Sequence, residues 1–454
     1  MYKTDSSRIS GFLHLLLFLI VASSVLTYWR SAEYALNGNW HPEYYIRQSF
    51  VSLVPTWQKI LKDLLALLLL AFSLIVPPTT PNPDENRDNS LAVIYTLCLS
   101  VLGLAIARCV TSDLRIIEIF ISLRPIIFTI SLFIFCHRHL NAFYLIPFLE
   151  GLNILAGIQI FYSILQRYSA IVNNGAGWLS SGFVRSVGTF IGPNTLGFFL
   201  ALVVYVNLYI LCLNNLRRLF ILACAISIFF TGSRTSLLIL LLFIVEIIFD
   251  RAIQSSVTNK NRSLIRYFGV IVSPLILIAA LWYISNVSGR SSGAFFAGHR
   301  VEIFLNYFTN TDIFSIVLGN HLGFGSEILI ALKRGQMFGV GSNSSHVIAD
   351  STWTYLFYQF GIMGIILFIA IIYVLWKIPN DSAITTSIKL KLNHQKRGLG
   401  IFIFGICATS VLLESYASMA ILVPLIFVLR VPKIKAQEYP YTNYYDEEGK
   451  VVDD

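Results

Sequence analysis

Apolar runs broken by short polar segments fill most of the chain. A membrane-crossing helix needs about 20 predominantly apolar residues. Twelve stretches approach that length, near 11–28, 61–76, 91–109, 117–136, 143–164, 194–213, 219–231, 236–249, 267–285, 352–376, 399–416 and 418–430. They predict an all-α, polytopic membrane protein of about 12 transmembrane helices. The chain reads as one integral membrane domain over 1–454, with a large external loop at 286–351 and a polar cytoplasmic tail at 431–454. Two further loops, 29–59 and 165–193, are long. The amino-terminal run follows Lys3 and Arg8 without a small-residue cleavage signal, so it reads as a retained first span.

One run is interrupted. Leu219 to Phe249 is apolar on both sides of Gly232-Ser233-Arg234-Thr235-Ser236. As one helix it would be about 46 Å long, more than a hydrocarbon core of about 30 Å. The pattern therefore predicts two short helices with a turn at Gly232, freed backbone groups satisfied by Ser233, Thr235 and Ser236, and Arg234 sunk inside the protein. Non-helical backbone at that depth is tolerated where it is protein-buried or lines water. An intramembrane cation marks function by default. Arg124, beside Pro125 in the fourth run, is a second sunken arginine, with Glu118 or Glu150 expected to neutralise it.

Composition agrees. The 454 residues are 56% hydrophobic and 13% charged, with a mean hydropathy of +0.70. The formal charge of +9 is carried by short segments that alternate with the outer loops, so basicity here indicates cytoplasmic loops rather than nucleic acid. An even number of spans places both termini in the cytoplasm. The six cysteines lie in or beside apolar runs and read as small buried hydrophobes. No zinc-ligand spacing, P-loop, HExxH or DxD motif occurs, and neither metal nor cofactor is expected.

The outer side concentrates candidate chemistry. RSVGTFIGPNTLG places Arg185 a few residues before a helix start, where Pro193 and Asn194 suit the first turn and the helix dipole favours anions. The large loop carries Arg290, His299, Arg300 and His321. It ends in SNSSHVIADSTWTYLFYQFGIMG, with His346 and Asp350 four residues apart. Its glycines, Gly319 among them, predict tight turns with close backbone approach.

These motifs, in this order, resemble the O-antigen ligase and O-antigen polymerase family of bacterial envelope proteins. The likeness covers about Phe183 to Gly364, with Gly361 and Gly364 matching the family's Gly-x-x-Gly span. It implies a GT-C-like fold and a metal-independent, inverting glycosyltransferase in the bacterial plasma (inner) membrane, its active site facing the periplasm. The donor would be an undecaprenyl-pyrophosphate-linked glycan and the acceptor a saccharide. Other polysaccharide-assembly proteins, such as a flippase and a chain-length regulator, are implied partners alongside the lipid bilayer. Arg185 and Arg234 match the family's motif arginines and are expected to bind the diphosphate, with Arg300 a third candidate. His346 is the expected base, with Asp350 orienting or replacing it. Ligases follow their histidine with a small or amide residue. Here Val347 follows His346, which favours a polymerase over a ligase joining glycan to lipid A core. A secondary transporter is the rival from another class, and no duplicated halves support it. A structural scaffold leaves the sunken arginines unexplained.

Overall fold

The computed structural model describes residues 2–27, 29, 56–78, 96, 99–107, 116–172, 178–180, 183–190, 192–211, 213–258, 309, 312–319, 351–376, 386–409, 412 and 415–430. Eleven α-helices are placed among them. In chain order these are α1 (Tyr2–Val25), α2 (Thr56–Ile75), α3 (Ile116–His139), α4 (Ala142–Val172), α5 (Pro193–Tyr205), α6 (Asn215–Thr231), α7 (Arg234–Thr258), α8 (Ile313–Leu318), α9 (Thr352–Trp376), α10 (Thr386–Thr409) and α11 (Tyr416–Arg430). Two three-residue strands, β1 (Trp178–Ser180) and β2 (Phe183–Arg185), form an antiparallel hairpin before α5. The sequence pattern gave no hint of that hairpin.

Side-chain contacts fix the direction of each helix. Gly11 and Gly151 face Tyr144 and Phe18, so α1 and α4 run parallel. Phe12 meets Phe72, and Gln58 donates to the Leu26 carbonyl, so α2 runs antiparallel to α1. Arg124 meets Asp63, while Arg138 donates to the carbonyls of Ser73, Leu74 and Val76, making α3 parallel to α2. Phe128 stacks on Tyr416 and Phe133 meets Phe427, so α11 follows α3. Gly405 faces Ile239 and Arg397 bonds Glu246, so α10 opposes α7. The end of the bundle carrying Val25, Asp63, Arg124, Arg234 and Tyr416 is here the upper end.

Helix α5 sits at the centre. From Leu196 to Tyr205 every residue is buried, which is the pattern of a helix surrounded by others. Between helices in lipid, close packing matters more than water exclusion. Gly197 permits it here: a Cβ would lie 2.5 Å from Ser236 Oγ and 3.1 Å from Ser233 Cβ, so α5 presses directly on the first turn of α7. After Tyr205 the helix widens into a π turn, Val206–Ile210.

Among the described residues, four helices are long and apolar enough to cross a membrane: Arg8–Val25, Phe143–Tyr168, Pro193–Ile210 and Thr352–Tyr373, with Tyr416–Leu429 apolar but shorter. Twelve spans are not confirmed. The expected run near 267–285 lies outside the described residues, and that near 91–109 lies partly outside them. Several boundaries also move. Helix α4 continues to Val172, eight residues into the expected loop, and α10 begins at Thr386 within a segment read as an inner loop. The break at Gly232 occurs where expected, but only α6 is short. Helix α7 has 25 residues, about 37 Å at 1.5 Å each, because it continues through Asp250 to Thr258.

Helix α9 bends at Gly361, whose φ of 61° and ψ of −155° are non-helical. Helix α8 packs into this bend. A Cβ on Gly361 would lie 2.4 Å from the Val317 carbonyl, and one on Gly319, with φ 79°, would lie 2.3 Å from that of Gln359. Both glycines let backbone meet backbone, as expected for Gly319. The thiols of Cys136, Cys224 and Cys407 are free and buried.

Candidate functional site at the upper end

Arg185 ends β2, and Arg234 opens α7. The structure brings their segments together. Arg185 Nε donates to the Thr231 carbonyl at 2.7 Å, three residues before Arg234, and its NH2 group donates to Asn194 Oδ1 at 2.9 Å. Ser186 N donates to the Phe230 carbonyl at 2.9 Å. The RSVGTF loop, the first turn of α5 and the α6–α7 turn thus meet at one point. A cation against the final carbonyls of α6 is favoured by that helix's dipole. Both acceptors are neutral oxygens, so these two bonds orient the guanidinium without neutralising it. Arg185 and Arg234 are both half-buried.

The α6–α7 turn is built from its sequence. Gly232 takes the left-handed conformation, φ 59°, that ends α6, and its N–H donates to the Phe229 carbonyl. Ser233 caps α7, accepting from Ser236 N at 3.4 Å and pairing with Ser236 Oγ at 2.9 Å. Thr231 supplies the remaining acceptor, taking the Ser233 N–H at 3.1 Å. The expectation for Ser233 is met, whereas Ser236 Oγ bonds the Ser233 hydroxyl rather than a backbone group. Thr231 was missed, and Thr235 instead lies beside Gly405 of α10.

Helices α5 and α7 both begin here. Gly192 precedes α5 in extended conformation and Pro193 occupies its first turn, as expected. Two packed helix N-termini direct positive dipole ends to the same end of the bundle. Together with the two arginines they form an environment suited to an anion. Helix α9 also starts at this end, where Thr352 Oγ1 accepts from Leu412 N at 2.9 Å. His346, Asp350 and Arg300 lie outside the described residues, as do Arg290, His299 and His321.

Arg124 requires a correction. It pairs with Asp63 of α2, at 3.0 Å, a carboxylate that sequence reasoning did not name, while the Glu118 side chain lies outside the described residues. Glu150 instead pairs with Arg217 in the first turn of α6, at the lower end. Register between parallel α2 and α3 puts Asp63 level with Arg124, whereas Glu150, on α4, faces Arg217 at the start of α6.

Sequence reasoning also missed the residues behind the Arg185 loop. Gln166 Oε1 accepts from the N–H groups of Val187 and Gly188, each at 2.9 Å, and its Nε2 returns a bond to the Gly188 carbonyl. Gln159 accepts from Thr189 N at 2.9 Å and donates to Thr189 Oγ1 at 2.7 Å. Thr189 Oγ1 donates to the Val25 carbonyl at 2.6 Å, and Ser186 Oγ to that of Ser163 at 3.0 Å. A signal existed: Gln159, Ser163 and Gln166 are spaced i, i+4, i+7, a polar stripe on an otherwise apolar helix.

No protein-family model matches this chain, and no curated protein or solved structure matches it.

Proposed function

We propose that the chain is a surface-polysaccharide polymerase, a metal-independent, inverting glycosyltransferase using a lipid-diphosphate-linked glycan. The observation that carries this reading is the meeting of Arg185 with the α6–α7 turn and with Asn194 of α5. Two motifs of the family resemblance, one carrying Arg185 and Asn194 and the other the turn 46 residues beyond Arg185, contribute to one cationic end.

The chemistry follows from charge. An acceptor hydroxyl attacks the anomeric carbon from the face opposite the diphosphate. The new glycosidic bond forms as the bond to the diphosphate oxygen breaks, and the hydroxyl proton passes to a base. Negative charge grows on the leaving diphosphate. Guanidinium groups match phosphate oxygens bidentately, and Arg185 and Arg234 take this role, with Arg300 a third candidate. Cations oriented in advance in a dry site lower a barrier more than the same groups in water. Histidine is the side chain whose ordinary pKa lies nearest neutrality, so His346 is the proposed base, with Asp350 as its orienting partner or substitute. The reading places the protein in the bacterial plasma membrane, with both termini cytoplasmic and the site on the periplasmic face, beside a flippase and a chain-length regulator.

The test is the glycan profile of a deletion strain complemented with wild type, Arg185→Ala or Arg234→Ala. The polymerase reading predicts that deletion and both variants leave single-repeat products, while the variants reach the membrane in normal amounts. Accumulated lipid-linked polymer would indicate a ligase. Normal glycan from the arginine variants would remove the arginines from the mechanism.

A further inference from the structure

The loop carrying Arg185 is buried and irregular. Ser186, Val187, Thr189 and Phe190 are all at most 4% exposed, and Gly188 is buried with a φ of 57°. Buried backbone outside a helix needs hydrogen-bond partners, since each unmet group is costly. Gln166 and Gln159, themselves 2% and 0% exposed, supply them from α4. Between them the two side chains accept three consecutive backbone N–H groups, from Val187, Gly188 and Thr189, and return two donors to the same loop. Thr189 then ties the loop to the end of α1. Gly188 leaves no slack, for a Cβ there would lie 2.3 Å from Gln159 Oε1.

We infer that Gln166 and Gln159 are positioning residues, which hold the 186–189 backbone in one arrangement and so fix where the Arg185 guanidinium stands before any ligand arrives. Neither glutamine bonds Arg185 directly. They act through the chain that follows it. Amides suit the task because each offers an acceptor and a donor without charge. Leucine would fill the space and leave three N–H groups unmet. This inference rests on the lipid-diphosphate reading of the upper end. It adds that two uncharged side chains of α4 set its geometry.

The test uses the full chain in nanodiscs and farnesyl diphosphate as the probe. Binding is measured per folded molecule, alongside the melting temperature without ligand and amide hydrogen exchange across 186–190. The expected result for Gln166→Leu and Gln159→Leu is affinity lower by about tenfold, the scale of one misplaced charge-assisted hydrogen bond, with faster exchange at the loop amides. Gln166→Glu keeps the acceptor for Val187 and Gly188 and should recover much of the affinity. A purely structural role would lower the melting temperature and leave affinity per folded molecule unchanged. Should the leucine variants fail to fold, Thr189→Val removes one hydroxyl at constant shape. It should still weaken binding, and wild-type affinity there would overturn the inference. Loss of binding in Arg185→Ala and Arg234→Ala with wild-type binding in the glutamine variants overturns positioning alone. Wild-type binding in the arginine variants overturns the diphosphate reading and this inference with it.

Discussion

Helices α5 and α7 each join two polar clusters, one at the upper end and one lower in the bundle, at the π turn after α5 and midway along α7. In the lower cluster, Glu246 of α7 accepts from Tyr209 at 2.9 Å, pairs with His394 Nδ1 at 2.9 Å and accepts from Arg397 Nε at 3.0 Å. Gln395 and the tyrosine backbone close the group, with Gln395 Nε2 donating to the Tyr209 carbonyl at 2.6 Å and Tyr205 OH to that of Gln395 at 3.0 Å. There a carboxylate meets a guanidinium, an imidazole and a phenol within the protein. At the upper end, Arg185 bonds two neutral oxygens of separate elements, and two helix N-termini add positive ends. The first arrangement holds three elements together. The second directs positive charge toward one place. Under the proposed function the same two helices serve as strut and as binding edge, and a charged residue inside a bundle has to be read with its partners.

The contrast can be broken by substitution. The largest effect is expected at the upper end. Arg234→Lys or Arg185→Ala should lower product formation by roughly 100- to 1000-fold, the cost of one oriented donor to a developing anion. Melting temperature should move little, and glycan analysis together with membrane abundance separates the two readouts. Glu246→Ala should do the reverse. It strands His394 and Arg397, and removing one partner of a buried pair costs about 3–5 kcal/mol. Arg397 is 45% exposed, so solvent reduces this to roughly 1–3 kcal/mol. Thermal unfolding should show that loss, with transfer per folded molecule near wild type. Equal loss of transfer would mean that the lower cluster belongs to the site.

Two smaller effects sharpen the picture. Gly232→Ala forces an L side chain into a left-handed cap and should cost about 1–2 kcal/mol, read by thermal unfolding. Because Arg185 binds the carbonyl just before this glycine, it should also lower diphosphate affinity. Asp63→Asn removes the carboxylate beside Arg124, a pair mostly shielded from solvent at 24% and 18% exposed, and should cost about 1–2 kcal/mol. Diphosphate binding at Arg185 should be unaffected, which distinguishes a structural arginine from a binding one.

Much of this was legible in sequence, and the misses share a cause. The break at Gly232, the serine cap, Pro193 in the first turn of α5 and the close approach at Gly319 all depend on neighbouring residues, and local chemistry reports such features. Partners depend on register between helices. Asp63 lies 61 residues from Arg124, and nothing local favours it over Glu118 or Glu150. Helix ends were misjudged where helices continue past the apolar run, as α7 does beyond Asp250 and α4 beyond Gln166. Hydropathy marks lipid, whereas the helix ends where its backbone bonds end. The β1–β2 hairpin is too short for a two-residue alternation to register. Gln159 and Gln166 were visible as a stripe, but the loop that they face came from a separate part of the chain.

The central claim is that Arg185 and Arg234 serve one anion. The most direct measurement is an experimental structure of the chain in nanodiscs with undecaprenyl diphosphate bound. The account predicts both guanidinium groups within hydrogen-bond distance of the same diphosphate, at the shared end of α5 and α7. A diphosphate bound elsewhere, or either arginine turned into acyl chains, would contradict it.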